Sequence, residues 1–209
     1  MKHRLAIAVI ALIATSLFFV TRAASQSQDE QGSPMGDPAQ MQEMMEIWMK
    51  FAAPGEPHHA MMGQAGKWNT TLKSWMAGPD GPATESSGEA TMKATLGGRW
   101  LMERHTSEMM GMPFEGFGVF GYDNYKEQYV GMWVDNMSTA MYIAYGAANE
   151  AGDVITMEGT MDEPMTGERD KQFRWVVNLL SDDKHTMEIH DLTLPEGKTK
   201  VMEITYERQ

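Results

Sequence analysis

The sequence predicts an all-β fold, an up-and-down antiparallel β-barrel of about ten strands preceded by short helices. Three observations predict it. From Gly66-Lys67-Trp68 to the chain end, short half-apolar runs of strand length follow one another. Turn signals separate most of them: Gly78-Pro79-Asp80-Gly81, Gly97-Gly98, Met112-Pro113, Asp123-Asn124, Glu163-Pro164, Asp182-Asp183 and Pro195-Glu196-Gly197. Many evenly spaced strands with tight turns have few ways to hide their edges other than closing on themselves. A barrel is a container, so the question of function becomes what its interior holds.

The first residues read as an address. Lys2, His3 and Arg4 form a basic start, Leu5 to Val20 an apolar stretch, and Ala23-Ala24-Ser25 a small-residue cluster. Together they predict a secretory signal peptide over 1–24, and hence a periplasmic or secreted protein. The apolar stretch falls short of the roughly 20 residues of a membrane span, so no stable membrane insertion is expected after cleavage. Arg22 sits close before a cut after Ala24, which keeps an uncleaved N-terminal anchor open as the alternative. Residues 25–37 are rich in Gln, Ser, Asp, Gly and Pro, with no apolar period, and predict a disordered linker.

Composition narrows the partners. The formal charge is −12, and loss of Lys2, Arg4 and Arg22 with the signal peptide takes it to −15. Such a chain repels nucleic acid and anionic membrane surfaces. Cysteine is absent, which excludes disulfides, thiolate metal sites and a lipidated-cysteine anchor. Stability must come from a packed core.

A helical segment is expected over 38–66. Asp37 followed by Pro38 supplies an N-cap and a first helical residue. Met41, Met44, Met45, Trp48 and Ala52 then share one helix face, and Pro54-Gly55 ends it. A second short helix is expected from Pro57 to about Gln64, and the two helices together as a lid over one barrel end. The barrel domain, 67–209, divides into strands at 67–77, 88–96, 99–108, 115–122, 127–135, 139–147, 153–161, 170–181, 184–192 and 199–208.

Period-two parity assigns faces. On the last strand Met202, Ile204, Tyr206 and Arg208 share a face; on the first, Trp68, Thr70, Leu72, Ser74 and Met76 do. With the apolar face inward, Arg208 reaches the closed end beside Trp68. A guanidinium across an indole plugs that end, so both residues are expected to be structural. On the third strand the apolar set Trp100, Met102 with Arg104 is taken as inward, opposite Glu103 and His105.

Gly-x-Trp on the first strand with a late Arg resembles the calycin superfamily of lipocalins and fatty-acid-binding proteins. Further stretches carry a narrower resemblance: Pro54-Gly55-Glu56-Pro57-His58, Gly97-Gly98-Arg99-Trp100-Leu101, Met112-Pro113-Phe114-Glu115-Gly116, Gly121-Tyr122-Asp123, Trp133-Val134-Asp135, Pro164-Met165-Thr166-Gly167 and Met202-Glu203-Ile204-Thr205-Tyr206. In order over residues 41–209, they resemble the uncharacterised bacterial domain of unknown function fifteen-seventy-nine. The resemblance implies a calycin-like barrel and no established activity, so it supplies no catalytic residues.

Candidate chemistry is sparse. Methionine is the outlier, 22 of 209 residues, and His58, Met61 and Met62 share a helix face while Met109, Met110 and Met112 cluster at a hairpin. Imidazole with thioethers suits Cu(I), but methionine spread through the whole chain reads first as apolar filler. His185, Glu188 and His190 look like a metal triad, yet on a strand His185 faces away from the other two. Glu103 with His105 forms a carboxylate–imidazole pair for proton transfer only if it faces inward. No serine elbow, zinc-binding helix, phosphate loop or dinucleotide motif occurs. A lone histidine such as His58, His105 or His190 is a poor haem signal, and no metal or other cofactor is expected.

Aromatic strand residues are the stronger candidates. Leu72, Trp100, Met102, Trp133, Ile204 and Tyr206 are expected to line a pocket for a small hydrophobic or amphipathic ligand. A completely filled interior is the competing expectation. Non-catalytic binding leads, with an isomerase or hydrolase built on Glu103 and His105, and a Met/His copper protein, as alternatives.

Overall fold

The computed structural model of the protein describes residues 37–75 and 78–209. The expected signal peptide, the linker apart from Asp37, and Met76 lie outside the described residues. The elements in chain order are α1 (Pro38–Ala52), α2 (Glu56–Met62), β1 (Gly66–Ser74), β2 (Thr84–Thr95), β3 (Trp100–Met109), β4 (Met112–Asp123), β5 (Gln128–Asp135), β6 (Tyr142–Ala148), β7 (Val154–Glu163), β8 (Glu168–Ser181), β9 (Lys184–Asp191) and β10 (Lys200–Arg208).

Every strand pairs antiparallel with its sequence neighbours, and β1 pairs with β10 to close the barrel. The ten strands and the up-and-down order agree with the sequence expectation. One turn does not. Met112-Pro113 was expected to break the chain, but both lie in β4, opposite Met109 and Glu108. The reversal is the two-residue Met110-Gly111, with φ of 55° and 76°, the left-handed pair that suits the twist of a tight hairpin.

Alternation sets the core. On β8, Phe173 and Trp175 are buried while Arg174 between them faces out and grips Glu158 of β7, with Nε donating at 2.8 Å. Arg174 and Glu158 are register partners, so the outer wall gains a cross-strand pair where the inner wall gains aromatic packing. Trp68, Tyr206, Leu101, Tyr129, Met157 and Met187 are among the buried residues of the other strands.

The chain divides at Met41 into two compact units. Of the first, Asp37–Met41 is described, and there Asp37 Oδ1 accepts the Ala39 N–H at 3.1 Å, the expected N-cap. In the second unit, Met44, Met45 and Trp48 do not form the expected packing face. They are exposed, Trp48 by 63 %. The physical reason is that α1 is held at its C-terminal end, where Arg99 Nε donates to Ala52 O and Asn124 Nδ2 to Phe51 O and Ala53 O. Closure of the barrel end falls to α2, whose His58 meets the Tyr122 ring edge-on and whose Met61 is buried.

Candidate functional site: a polar cluster in an apolar cavity

The plug at the helical end is built as the sequence predicts. Trp68 and Arg208 are register partners, and the guanidinium lies 4.2 Å from the indole centroid. Its N–H groups donate to Ala65 O, Gly63 O and Asp182 O, and Nε lies 3.0 Å from Asp183 Oδ1. Trp68 Nε1 donates to Gln64 O at 3.0 Å. The Gly in Gly-x-Trp now has a cause. Gly66 has φ of 150°, and a Cβ there would meet Arg208 Nη1 at 2.5 Å, so a side chain would displace the guanidinium.

Above the plug the barrel is not completely filled. A cavity of about 70 Å³ is lined by Met61, Leu101, Phe120, Tyr129, Met157 and Val177 among others. Into this apolar wall come Glu103, Tyr206, His185 and Gln64. The Tyr206 hydroxyl donates to Glu103 Oε1 at 3.1 Å. His185 stacks on the Tyr206 ring, centroids 4.3 Å apart and planes at 14°, and makes an edge-to-face contact with Trp68. A continuous chain of contacts thus runs from Arg208 through Trp68, His185 and Tyr206 to Glu103.

Burial sets the protonation of this chain. Desolvation drives His185 down to about 4, with the nearby Arg208 charge adding to the effect, so the imidazole is neutral at neutral pH. Tyr206 is held well above its usual range by burial first and by Glu103 second, so it stays a hydroxyl and a donor. His105 lies beyond Glu103, its Nδ1 3.7 Å from Glu103 Oε1, too far for a hydrogen bond. His105 Nδ1, His185 Nδ1 and Gln64 Oε1 are buried without a hydrogen-bond partner among the described residues.

Four of the six expected pocket residues face the interior by register: Leu72, Trp133, Ile204 and Tyr206. Tyr206 alone of these borders the 70 Å³ cavity. Leu72, Trp133 and Ile204 are half-buried. Trp133 lies across Gly116, where a Cβ would overlap its ring, and donates from Nε1 to Asp135 Oδ2 at 3.1 Å. Trp100 and Met102 are corrected: they face outward. β3 turns Leu101, Glu103 and His105 in, because its register with β2 aligns His105 with Ala90 and, through it, with the inward Trp68. Trp100 instead covers Gly121 on the outer wall.

The inverted parity of β3 hid the most buried carboxylate among the described residues, for Glu103 is only 2 % exposed. His185 was placed opposite Glu188 and His190, and that holds: the latter two pair on the outer wall at 2.9 Å. That its face carries Met187 and Ile189 was a signal for an inward histidine. In the Met/His cluster, His58 Nδ1 accepts the Gly55 N–H and Met61 packs against the cavity. Met110 is exposed at the hairpin tip.

A closed ten-stranded antiparallel barrel, plugged at one end by a short helix and an Arg–Trp stack and carrying a buried polar cluster, is the class of protein defined here. Residues 53–208 match the family described as Protein of unknown function (DUF1579), and the chain belongs to that family. Among solved structures it is similar to Rv2717c from M. tuberculosis, at 13% identity and a TM-score of 0.53, covering 75% of this chain and 99% of that one. It is also similar to a redesigned beta barrel at 14% identity, covering 70% of this chain and 92% of that one, with a TM-score of 0.37. The likeness to Rv2717c speaks to fold alone. None of the curated proteins compared with the chain matches it.

Proposed function

We propose that the barrel binds a small, mostly apolar molecule inside its wall without transforming it, in a protein exported by its N-terminal 1–24 segment. One observation carries the reading: a largely apolar cavity of about 70 Å³ persists in the closed half of the barrel. A cavity that holds benzene is about 150 Å³, so this one suits an end group rather than a whole ligand. The remainder of the molecule would run toward the opposite end, past the half-buried Leu72, Ile204 and Trp133.

The test is titration with an apolar fluorescent probe. Stoichiometric binding by the native barrel is expected, together with its loss on Val177→Phe, which places a ring in the cavity at the cost of about 1–3 kcal/mol of overpacking. An unbound probe at every concentration below its solubility limit would refute the container reading. A second reading rests on Glu103 and His105 lying inside: acid–base catalysis on the bound molecule. Turnover lost on Glu103→Gln while probe binding remains would distinguish it.

A further inference from the structure

Four polar side chains line the cavity: Glu103, Gln64, His185 and Tyr206. Glu103 offers carboxylate oxygens, one of them already accepting from Tyr206. Gln64 contributes a buried amide oxygen without a partner among the described residues. His185, 3 % exposed, is neutral, and its Nδ1 also lacks a partner. A neutral imidazole keeps one acceptor nitrogen, an amide oxygen has two lone pairs, and a carboxylate has about four acceptor sites. Tyr206 gives its hydroxyl to Glu103, while the neutral His185 ring and the Gln64 amide each keep N–H donors as well as acceptors, so what distinguishes the set is the acid, Glu103.

Charge points the same way. Among the described residues, the cavity wall includes Glu103 and no lysine or arginine. Arg208 lies behind Trp68, bonded to three carbonyl oxygens and facing Asp183, so its charge is answered at the plug. His105 Nδ1 stands 3.7 Å from Glu103, beyond hydrogen-bonding distance. A buried carboxylate is stabilised by a cation or by several donors, and here the protein supplies one hydroxyl.

We propose that the cavity seats the protonated amino end of a small amphipathic amine, with Glu103 as its counter-charge and Gln64 and His185 as neutral acceptors. The proposal rests on the container reading of the barrel and names its ligand class. An ammonium is a compact point charge with three donors, which suits a space of about 70 Å³ with three acceptor groups on its wall. The aromatic residues Tyr129, Tyr206 and Phe120 border the same space, and aromatic rings attract a cation rather than an anion over their faces. A carboxylate end group would meet the like charge of Glu103 on the same wall, so a fatty acid is the disfavoured ligand.

Three eight-carbon chains of equal reach test this: octylammonium, octanol and octanoate, each displacing the apolar fluorescent probe at neutral pH. Octylammonium is expected to bind about tenfold more tightly than octanol, the difference between a charge-assisted and a neutral hydrogen bond. Octanoate is expected to bind most weakly. Glu103→Gln should bring amine and alcohol to equal affinity, while changing the surface charge too little to alter general cation attraction. Gln64→Leu, which leaves every charge in place, should narrow the amine preference several-fold and serves if Glu103→Gln does not fold. Probe binding with octanol or octanoate equal to or tighter than octylammonium would overturn the amine assignment alone. An amine preference unchanged in both variants would also overturn it, assigning the preference to the acidic surface. Failure of the probe itself to bind would remove the container reading and this proposal with it.

Discussion

Tyr206→Phe is the cleanest perturbation of the interior because it removes one oxygen and little else. The ring stays, and with it the stack on His185 at 4.3 Å. What goes is the hydroxyl that donates to Glu103 Oε1 at 3.1 Å. Glu103 is 2 % exposed, so the lost donor is not replaced by bulk water, and a hydrogen bond to a charged group is worth about 1.5–3 kcal/mol. The expected destabilisation is therefore about 2–3 kcal/mol, or roughly 4–12 °C in Tm for a chain of this size. The assay is urea denaturation with a thermal melt, run as a double-mutant cycle with Glu103→Leu. Each single variant leaves a polar group without its partner, whereas the double variant removes both. The double is thus expected to be no less stable than the worse single, with a coupling of about 2 kcal/mol. Additive losses, or a Tyr206→Phe cost below about 0.5 kcal/mol, would refute the buried Tyr206–Glu103 pair.

Two further outcomes follow from the plug and from its histidine. Arg208→Ala deletes the guanidinium over Trp68 and strands the carbonyls of Gly63, Ala65 and Asp182. An expected loss of about 3–5 kcal/mol by urea denaturation checks it, and a loss under 1 kcal/mol would leave Gly-x-Trp and the late Arg without a structural role. His185 has its folded value lowered from 6.5 to about 4. The unfolded chain therefore takes up the proton first as pH falls. Its stabilisation is complete above about pH 6.5, declines between about 6.5 and 4, and is gone below, amounting to roughly 3 kcal/mol. Subtracting the pH–stability curve of His185→Phe from that of the native protein isolates this component from Glu188 and Asp191, whose lowered values act in more acid solution. A flat difference curve over that window would contradict neutral burial of His185.

How much of this was legible in the sequence depended on whether local pattern or long-range register decided the question. The strands and most turns are local, and runs such as Phe173-Arg174-Trp175 show their two faces by alternation alone. The Trp68–Arg208 contact was legible because Arg208 is in phase with the apolar Met202, Ile204 and Tyr206 on the last strand, and Trp68 with Leu72 on the first. β3 was not legible. Its two faces, Trp100-Met102-Arg104 and Leu101-Glu103-His105, differ in the wrong direction for a hydrophobic rule, since the more polar one faces in. What decides the matter is the register chain from Trp68 through Ala90 to His105, which no single strand contains. The Met-rich stripe of α1 misled for a related reason. Periodicity reports that a helix has an apolar face, and α1 is nevertheless anchored through its terminal carbonyls, leaving that face exposed.

The central claim is that the barrel interior is a binding site rather than a finished core. Native mass spectrometry of the protein purified from its own host tests it most directly, with Val177→Phe prepared in parallel. A mass excess of one small organic molecule per chain is expected on the native protein, released on denaturation and absent from the variant. The bare chain mass in both preparations, or the same excess retained by Val177→Phe, would contradict the claim.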